Sequence, residues 1–243
     1  MFIEICATNL QSALHAQAAA AHRIELCANL ELGGTTPSAG LIRMARQSLH
    51  IPIHVLIRPR GGDFCYTQSE IEVMRQDIRY CKSLGIDGIV IGVLNADASI
   101  NREQMRHLIE LARPMSICFH RAFDLLADPQ RGLKELLQLG VDRLLTSGLE
   151  PTAWQGRTLI RSLVQEAGED LVVMPGSGIN EDNIMALQKE TGAVEFHLSA
   201  KKRIASSFEG THSKLSFSPC DAIPDYDRFE TDPERVQNIL KLG

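Results

Sequence analysis

The chain has 243 residues, enough for one large domain, and its 44% hydrophobic and 23% charged residues exclude wholesale disorder. Its 25 basic and 30 acidic side chains give a net charge of −5, with no basic block for nucleic acid or an anionic membrane. No apolar run reaches the ~18 residues of a membrane span. The opening MFIEICATNL lacks a basic n-region and carries Glu4 inside its apolar run, so no signal peptide is expected. Six cysteines are too sparse for a disulfide scaffold. The expectation is a cytoplasmic globular protein with reduced thiols.

Runs rich in Val, Ile and Leu predict strands at 3–6, 23–27, 53–57, 88–92, 115–119, 143–146, 171–175 and 194–198. Between them lie stretches of helical period. Residues 68–84 put Ile71, Met74, Ile78 and Cys81 on one face, and 154–167 do so with Leu159, Leu163 and Val164. Thr67 with Glu70 reads as a capping box, and Asp128–Pro129 as an N-cap followed by a first-turn proline. Gly85, Gly140 and Gly192 follow helical runs, where a left-handed residue ends the helix. Strand–helix alternation implies right-handed crossovers and a parallel sheet. Eight such units predict a single (β/α)₈ TIM-type barrel over 1–243, with an open doubly wound sheet as the alternative. Residues 200–230, rich in Ser, Gly and Thr and carrying Pro219 and Pro224, read as a long loop before a last helix at 232–242.

Side chains two apart share a strand face. Strand 1 reads Glu4-Ile5-Cys6 and strand 2 reads Glu25-Leu26-Cys27. If Ile5 and Leu26 face the helices, both acids and both thiols face the lumen, where neighbouring strands ~4.8 Å apart bring the thiols within reach. Arg58 ends strand 3, Cys118 and His120 share a face of strand 5, and Glu195, His197 and Ser199 share one of strand 8. The direction of His54 depends on register. A lone strand cysteine is usually a small buried hydrophobe, and a Glu4–Arg58 pair closing the barrel is the structural alternative to a site. His15, His22, His50, His107 and His212 fall on helices or loops, and Cys65, Cys81 and Cys220 have no partner at zinc-ligand spacing.

Three loops add candidates. Arg58-Pro-Arg60-Gly-Gly-Asp63 follows strand 3 and offers Arg58 and Arg60 to an anion, or to Asp63 and the lumen glutamates. Gly176-Ser177-Gly178 follows strand 7, where backbone N–H groups at a helix start often bind phosphate. His120-Arg121-Ala-Phe-Asp124 follows strand 5, with Asp124 placed to orient His120 or a neighbouring arginine. As a site these residues suit an enzyme acting on a small phosphorylated or carboxylated anion. Glu4, Glu25, His120 and His197 are its acid–base candidates and Arg58 its charge stabiliser. Arg60, Asp63, Arg121, Gly176, Gly178 and Ser199 are further contacts. No lysine lies on a predicted strand, which argues against a Schiff-base aldolase.

RPRGGDF (58–64), HRAFD (120–124), LTSG (145–148), EFH followed by Ser199, Glu4-Ile5-Cys6, Glu25-Leu26-Cys27, Gly33-Gly34 and Thr36-Pro37-Ser38 together resemble the CutC family of copper homeostasis proteins, in order from residue 3 to about 200. Ser177 stands where the family commonly has glycine, and 203–230 departs from its pattern. The resemblance implies a (β/α)₈ barrel, a cytoplasmic homodimer and a role in copper tolerance. It implies Cu(I) at Cys6 and Cys27; on the chemistry of the residues, two thiolates would give a low-coordinate site, for which His120 and His197 are the candidate third ligands. Soft thiolates suit that ion.

Overall fold

A computed structural model describes residues 1–208 and 226–243. Eight parallel strands form the barrel: β1 (Phe2–Ala7), β2 (Arg23–Leu26), β3 (Ile53–Leu56), β4 (Gly88–Ile91), β5 (Ser116–Phe119), β6 (Arg143–Thr146), β7 (Val172–Pro175) and β8 (Glu195–Leu198). They are ordered β7-β6-β5-β4-β3-β2-β1-β8. The barrel closes between β7 and β8 through a parallel bridge, Gly176 to His197. A side chain at Gly176 would come within 2.5 Å of Leu145, so the seam depends on a bare backbone there. The predicted (β/α)₈ architecture is present and the open sheet is not.

The helices are α1 (Leu10–Ala18), α2 (Ala39–Ser48), α3 (Gln68–Ser83), α4 (Arg102–Ala112), α5 (Pro129–Leu139), α6 (Arg157–Ala167), α7 (Ile184–Thr191) and α8 (Pro233–Leu242). In α3 the Thr67 side chain accepts from the Glu70 N–H while Glu70 accepts from the Thr67 N–H, the reciprocal cap expected. Asp128 caps α5 ahead of Pro129. Gly85, Gly140 and Gly192 all have positive φ. Helix α6 begins later and sits in a different phase than its sequence suggests. It buries Ile160, Leu163 and Ala167, whereas Leu159 and Val164 are only half-buried. The loop expected at 200–230 is also partly wrong. Its described ends form an antiparallel ladder of β9 (Lys201–Ile204) and β10 (Arg228–Thr231). His212, Pro219, Cys220 and Pro224 lie outside the described residues.

Strand alternation divides two cores. Outward residues such as Ile3, Ile5, Ile24, Leu26, Val55, Ile89, Ile117, Leu144 and Phe196 pack under the helices. Inward residues Cys6, Cys27, Leu56, Val90, Cys118, Leu145 and Met174 form a second, luminal cluster. The register sets Cys6 beside Glu25 and Glu25 beside His54, which fixes the parity of β1, β2 and β3 and turns His54 inward. The His54 ring fills the space above Gly88, where a Cβ would meet it at 2.4 Å. Gly88→Ala should therefore cost about 1–3 kcal/mol in urea unfolding, as overpacking of a tight core does. Adding His54→Ala should recover part of the loss, and strict additivity of the two changes would refute the contact.

Candidate functional site

The lower half of the lumen is ionic. Glu4 is fully buried and accepts hydrogen bonds from Arg23 Nε at 2.5 Å and His197 Nδ1 at 2.8 Å, with His54 Nδ1 at 3.7 Å. Arg23 also donates to Glu195 at 2.7 Å, and Glu195 accepts from Arg143 at 2.9 Å. Burial alone would raise the Glu4 pKa, but Arg23 and then His197 hold it well below the ordinary carboxylate range. The expected Glu4–Arg58 pair is absent; Arg23 takes that role. Arg23 opens β2 on the parity of Glu25 and Cys27, so alternation alone could have singled it out.

Above this layer the Cys6 and Cys27 sulfurs lie 3.4 Å apart, both buried. Glu25 joins them in a group whose ligand atoms lie within 4.8 Å of one another, and Glu4, Glu25 and His197 form a second such group. Burial, then the neighbouring Glu4 charge, pushes Glu25 up to about 7 despite the opposing His197. Burial would lower the His197 pKa, yet Glu25, the Cys6 thiol and Glu4 hold it well above its usual value. The hydrogen bond to Cys27, then burial, raises the Cys6 thiol.

These groups floor a cavity of about 510 Å³ at the C-terminal mouth of the barrel. Cys6, Cys27, Glu25 and His197 line it together with Arg58, His120, Arg121, Gly178 and Ser199. Glu4 lies beneath it and holds His197. Lys201 and Arg235, from β9 and α8, also reach the wall, and neither was flagged by the sequence.

Three candidates fall elsewhere. Arg60 and Asp63 pair with each other at 3.1 Å, and Arg60 donates to Glu70 at 2.6 Å, so they tie the loop to the start of α3. Gly176 belongs to the β7–β8 seam. The helix start expected directly after Gly178 lies further on, since α7 begins only at Ile184, and Asn183 donates to the Gly178 carbonyl. Ser177 does sit at φ 84, the left-handed region that favours glycine, and its hydroxyl donates to the Pro151 carbonyl. Asp124 takes the second of its two expected roles: it accepts from the neighbouring Arg121, which lines the cavity, and from Thr146 and Ser147, and not from His120.

Residues 1–202 match the CutC family. The chain belongs to that family. It is 42% identical to a human copper homeostasis protein cutC homolog over 241 residues, 99% of this chain and 88% of that one. A CutC family protein of Parabacteroides distasonis is 44% identical over 239 residues, 98% of each chain. A Streptococcus agalactiae crystal structure assigned as the copper homeostasis protein CutC is 34% identical and superposes with a TM-score of 0.78, over 81% of this chain and 97% of that one. Likeness to thiamine phosphate pyrophosphorylase of Pyrococcus furiosus, 14% identical with a TM-score of 0.60 over 99% and 94% of the two chains, concerns the fold alone. Among the described residues no helix of this CutC family member is long and apolar enough to cross a membrane.

Two predictions follow from the ionic layer. Arg23→Met strands buried carboxylates and should cost about 3–5 kcal/mol in urea unfolding, the penalty for breaking a buried pair; a loss near zero would show that the network is dispensable. The second concerns pH. Burial is the main force pushing His54 down to about 4 and, followed by Arg58, His120 down to about 3, both from 6.5. The unfolded chain binds those protons first, so each ring removes up to about 1.4 kcal/mol per pH unit as pH falls below about 6.5. Glu25 opposes them: its folded pKa of about 7 exceeds the ordinary 4.5, so it adds stability as pH falls between those values. His197, held well above 6.5, also adds stability as pH falls, but mostly before pH 6.5 is reached, so below 6.5 the two depressed rings outweigh the Glu25 carboxyl. The urea midpoint should fall from pH 6.5 to 5, and more steeply in Glu25→Gln; a flat profile in both proteins would contradict this balance.

Proposed function

We propose that the protein binds and hands on Cu(I) at Cys6 and Cys27 within the barrel mouth. The observation that carries this is the pair of sulfurs 3.4 Å apart on the cavity floor, with Glu25 and His197 against them. Thiolates are soft donors that select Cu(I) over the harder ions carboxylates prefer. At the same floor the cationic His197 favours ionisation of Cys6, countering the bond to Cys27 and the burial that keep it protonated. Binding must displace thiol protons, so affinity should rise with pH. His197 becomes the nearer candidate for a third ligand once its ring gives up the Nε2 proton, since Nδ1 is held by Glu4 and His120 lies on the wall beside Phe64. The copper homeostasis names of the relatives agree with this chemistry. Thiol ligands need a reducing setting, in keeping with a cytoplasmic protein. Self-association as a homodimer is part of the same proposal, and sedimentation would measure it.

An anaerobic Cu(I) titration against a competing chelator tests the site. One ion per chain should bind far more tightly than cytosolic thiols do, and Cys6→Ala with Cys27→Ala should abolish it, while Arg60→Ala leaves it intact. Binding unchanged in the double variant, or no tighter than glutathione, would overturn the assignment.

A further inference from the structure

Arg58 is 4% exposed, on the wall of the same cavity. A buried guanidinium is normally paired with an acid, yet among the described residues Arg58 has no carboxylate: it donates only to backbone carbonyls, with the Phe64 ring and the neutral Tyr66 hydroxyl beside it. Nη1 donates to Leu32 at 2.9 Å and Gly34 at 2.6 Å, and Nη2 to Gly62 at 2.7 Å. A guanidinium has five N–H donors, so two remain, and Nε has no partner at all. Carbonyl dipoles satisfy geometry but leave the full charge unbalanced. Tyr66 does not balance it either. Burial pushes that phenol up to about 12 even against Arg58, so it stays neutral.

His120 repeats the pattern. It is 5% exposed and lines the cavity, and its ring lies 4.8 Å from Phe64, the same distance as the Arg58 guanidinium from that ring. Its Nδ1 accepts from the Ala122 N–H at 3.2 Å, which leaves the proton of the neutral ring on Nε2. That Nε2 is buried without a partner. Burial and Arg58 hold the ring down near 3, so it is uncharged at neutral pH. One wall therefore carries an unbalanced cation and two orphaned donors, with Leu30, Leu56, Leu145 and Ile179 beside them to receive a carbon skeleton.

We propose that Arg58 and His120 bind the oxyanion group, carboxylate or phosphate, of a small organic acid in this cavity. This site goes beyond copper handling and uses different side chains. The anion supplies the charge that Arg58 lacks and accepts from Arg58 Nε and His120 Nε2. A charge-assisted donor pair of this kind discriminates by planar geometry as well as by charge.

Malonate and glycerol phosphate are the probes, titrated calorimetrically into copper-free protein, so that failure of the thiol site leaves the result untouched. At least one should bind in the millimolar range or tighter, and which one binds identifies the head group. Arg58→Gln and His120→Phe should each weaken it about tenfold or more, the usual effect of removing a hydrogen bond to a charged group. Arg58 also braces three loop carbonyls, so its variant can fail to fold. Wild-type protein with ¹⁵N-labelled histidine then decides, because the bound probe should move the His120 Nε2 resonance and leave that of exposed His107 unchanged. No binding by either probe, affinity unchanged in both variants, or an unmoved His120 signal would overturn the proposal.

Discussion

A single carboxylate with no access to water organises this barrel. An ionised Glu4 in the lumen is tenable only if cations reach it from neighbouring strands. β2 supplies Arg23 and β8 supplies His197, while Arg23 extends to Glu195 and so to Arg143 of β6. These bonds run across the lumen where the sheet is weakest. Between β7 and β8 the ladder shrinks to one bridge at Gly176, and the ionic layer ties β8 to β1, β2 and β6 without needing that ladder.

The layer also sets the chemistry above it. Glu4 fixes the His197 ring through Nδ1 and, with Glu25, keeps it protonated. The ring is then a fixed positive charge against Cys6, on the floor rather than at the rim. Glu25 receives less help. Its Oε2 has no hydrogen-bond partner, and the nearby Glu4 charge adds to the cost of its own burial. The floor thus holds one committed anion below, one undecided carboxyl beside the thiols, and one cation between them.

Much of this was legible because a strand has period two. Once Ile5 and Leu26 face the helices, Glu4, Cys6, Glu25 and Cys27 must face inward, and β1–β2 pairing brings the sulfurs together. The same rule, carried one step further, yields Arg23. What alternation does not encode is how a loop side chain turns. Arg58 and Arg60 stand two apart in one glycine-rich turn, yet Arg58 enters the cavity wall while Arg60 swings out to Asp63 and Glu70. Asp124 likewise answers to the N–H and hydroxyl groups of Thr146 and Ser147 on the next strand, a contact only the closed barrel creates. Helix phase at α6 slipped because Leu159, Ile160, Leu163 and Val164 offer two overlapping apolar faces, and packing against the sheet selects one.

The charge balance of the cavity links its two proposed ligands. Below, Glu4 and Glu195 are offset by Arg23 and Arg143. Glu25 offsets His197 only in part, because it titrates near neutrality. Arg58 has no carboxylate among the described residues, so the mouth carries an excess of positive charge. Two thiolates around one Cu(I) have a net charge of −1, and a small carboxylate has the same sign. Both species complete the same field, one from the floor and one from the wall. A carrier of soft metal needs the thiols, and from a buried, unbalanced arginine on the wall it gains only a distant counter-charge. A site for an organic anion needs the arginine but gains nothing from adjacent sulfurs. That both features face one cavity of about 510 Å³ argues that the pocket is electrostatically built for an anionic occupant, with the thiols deciding what else that occupant brings with it.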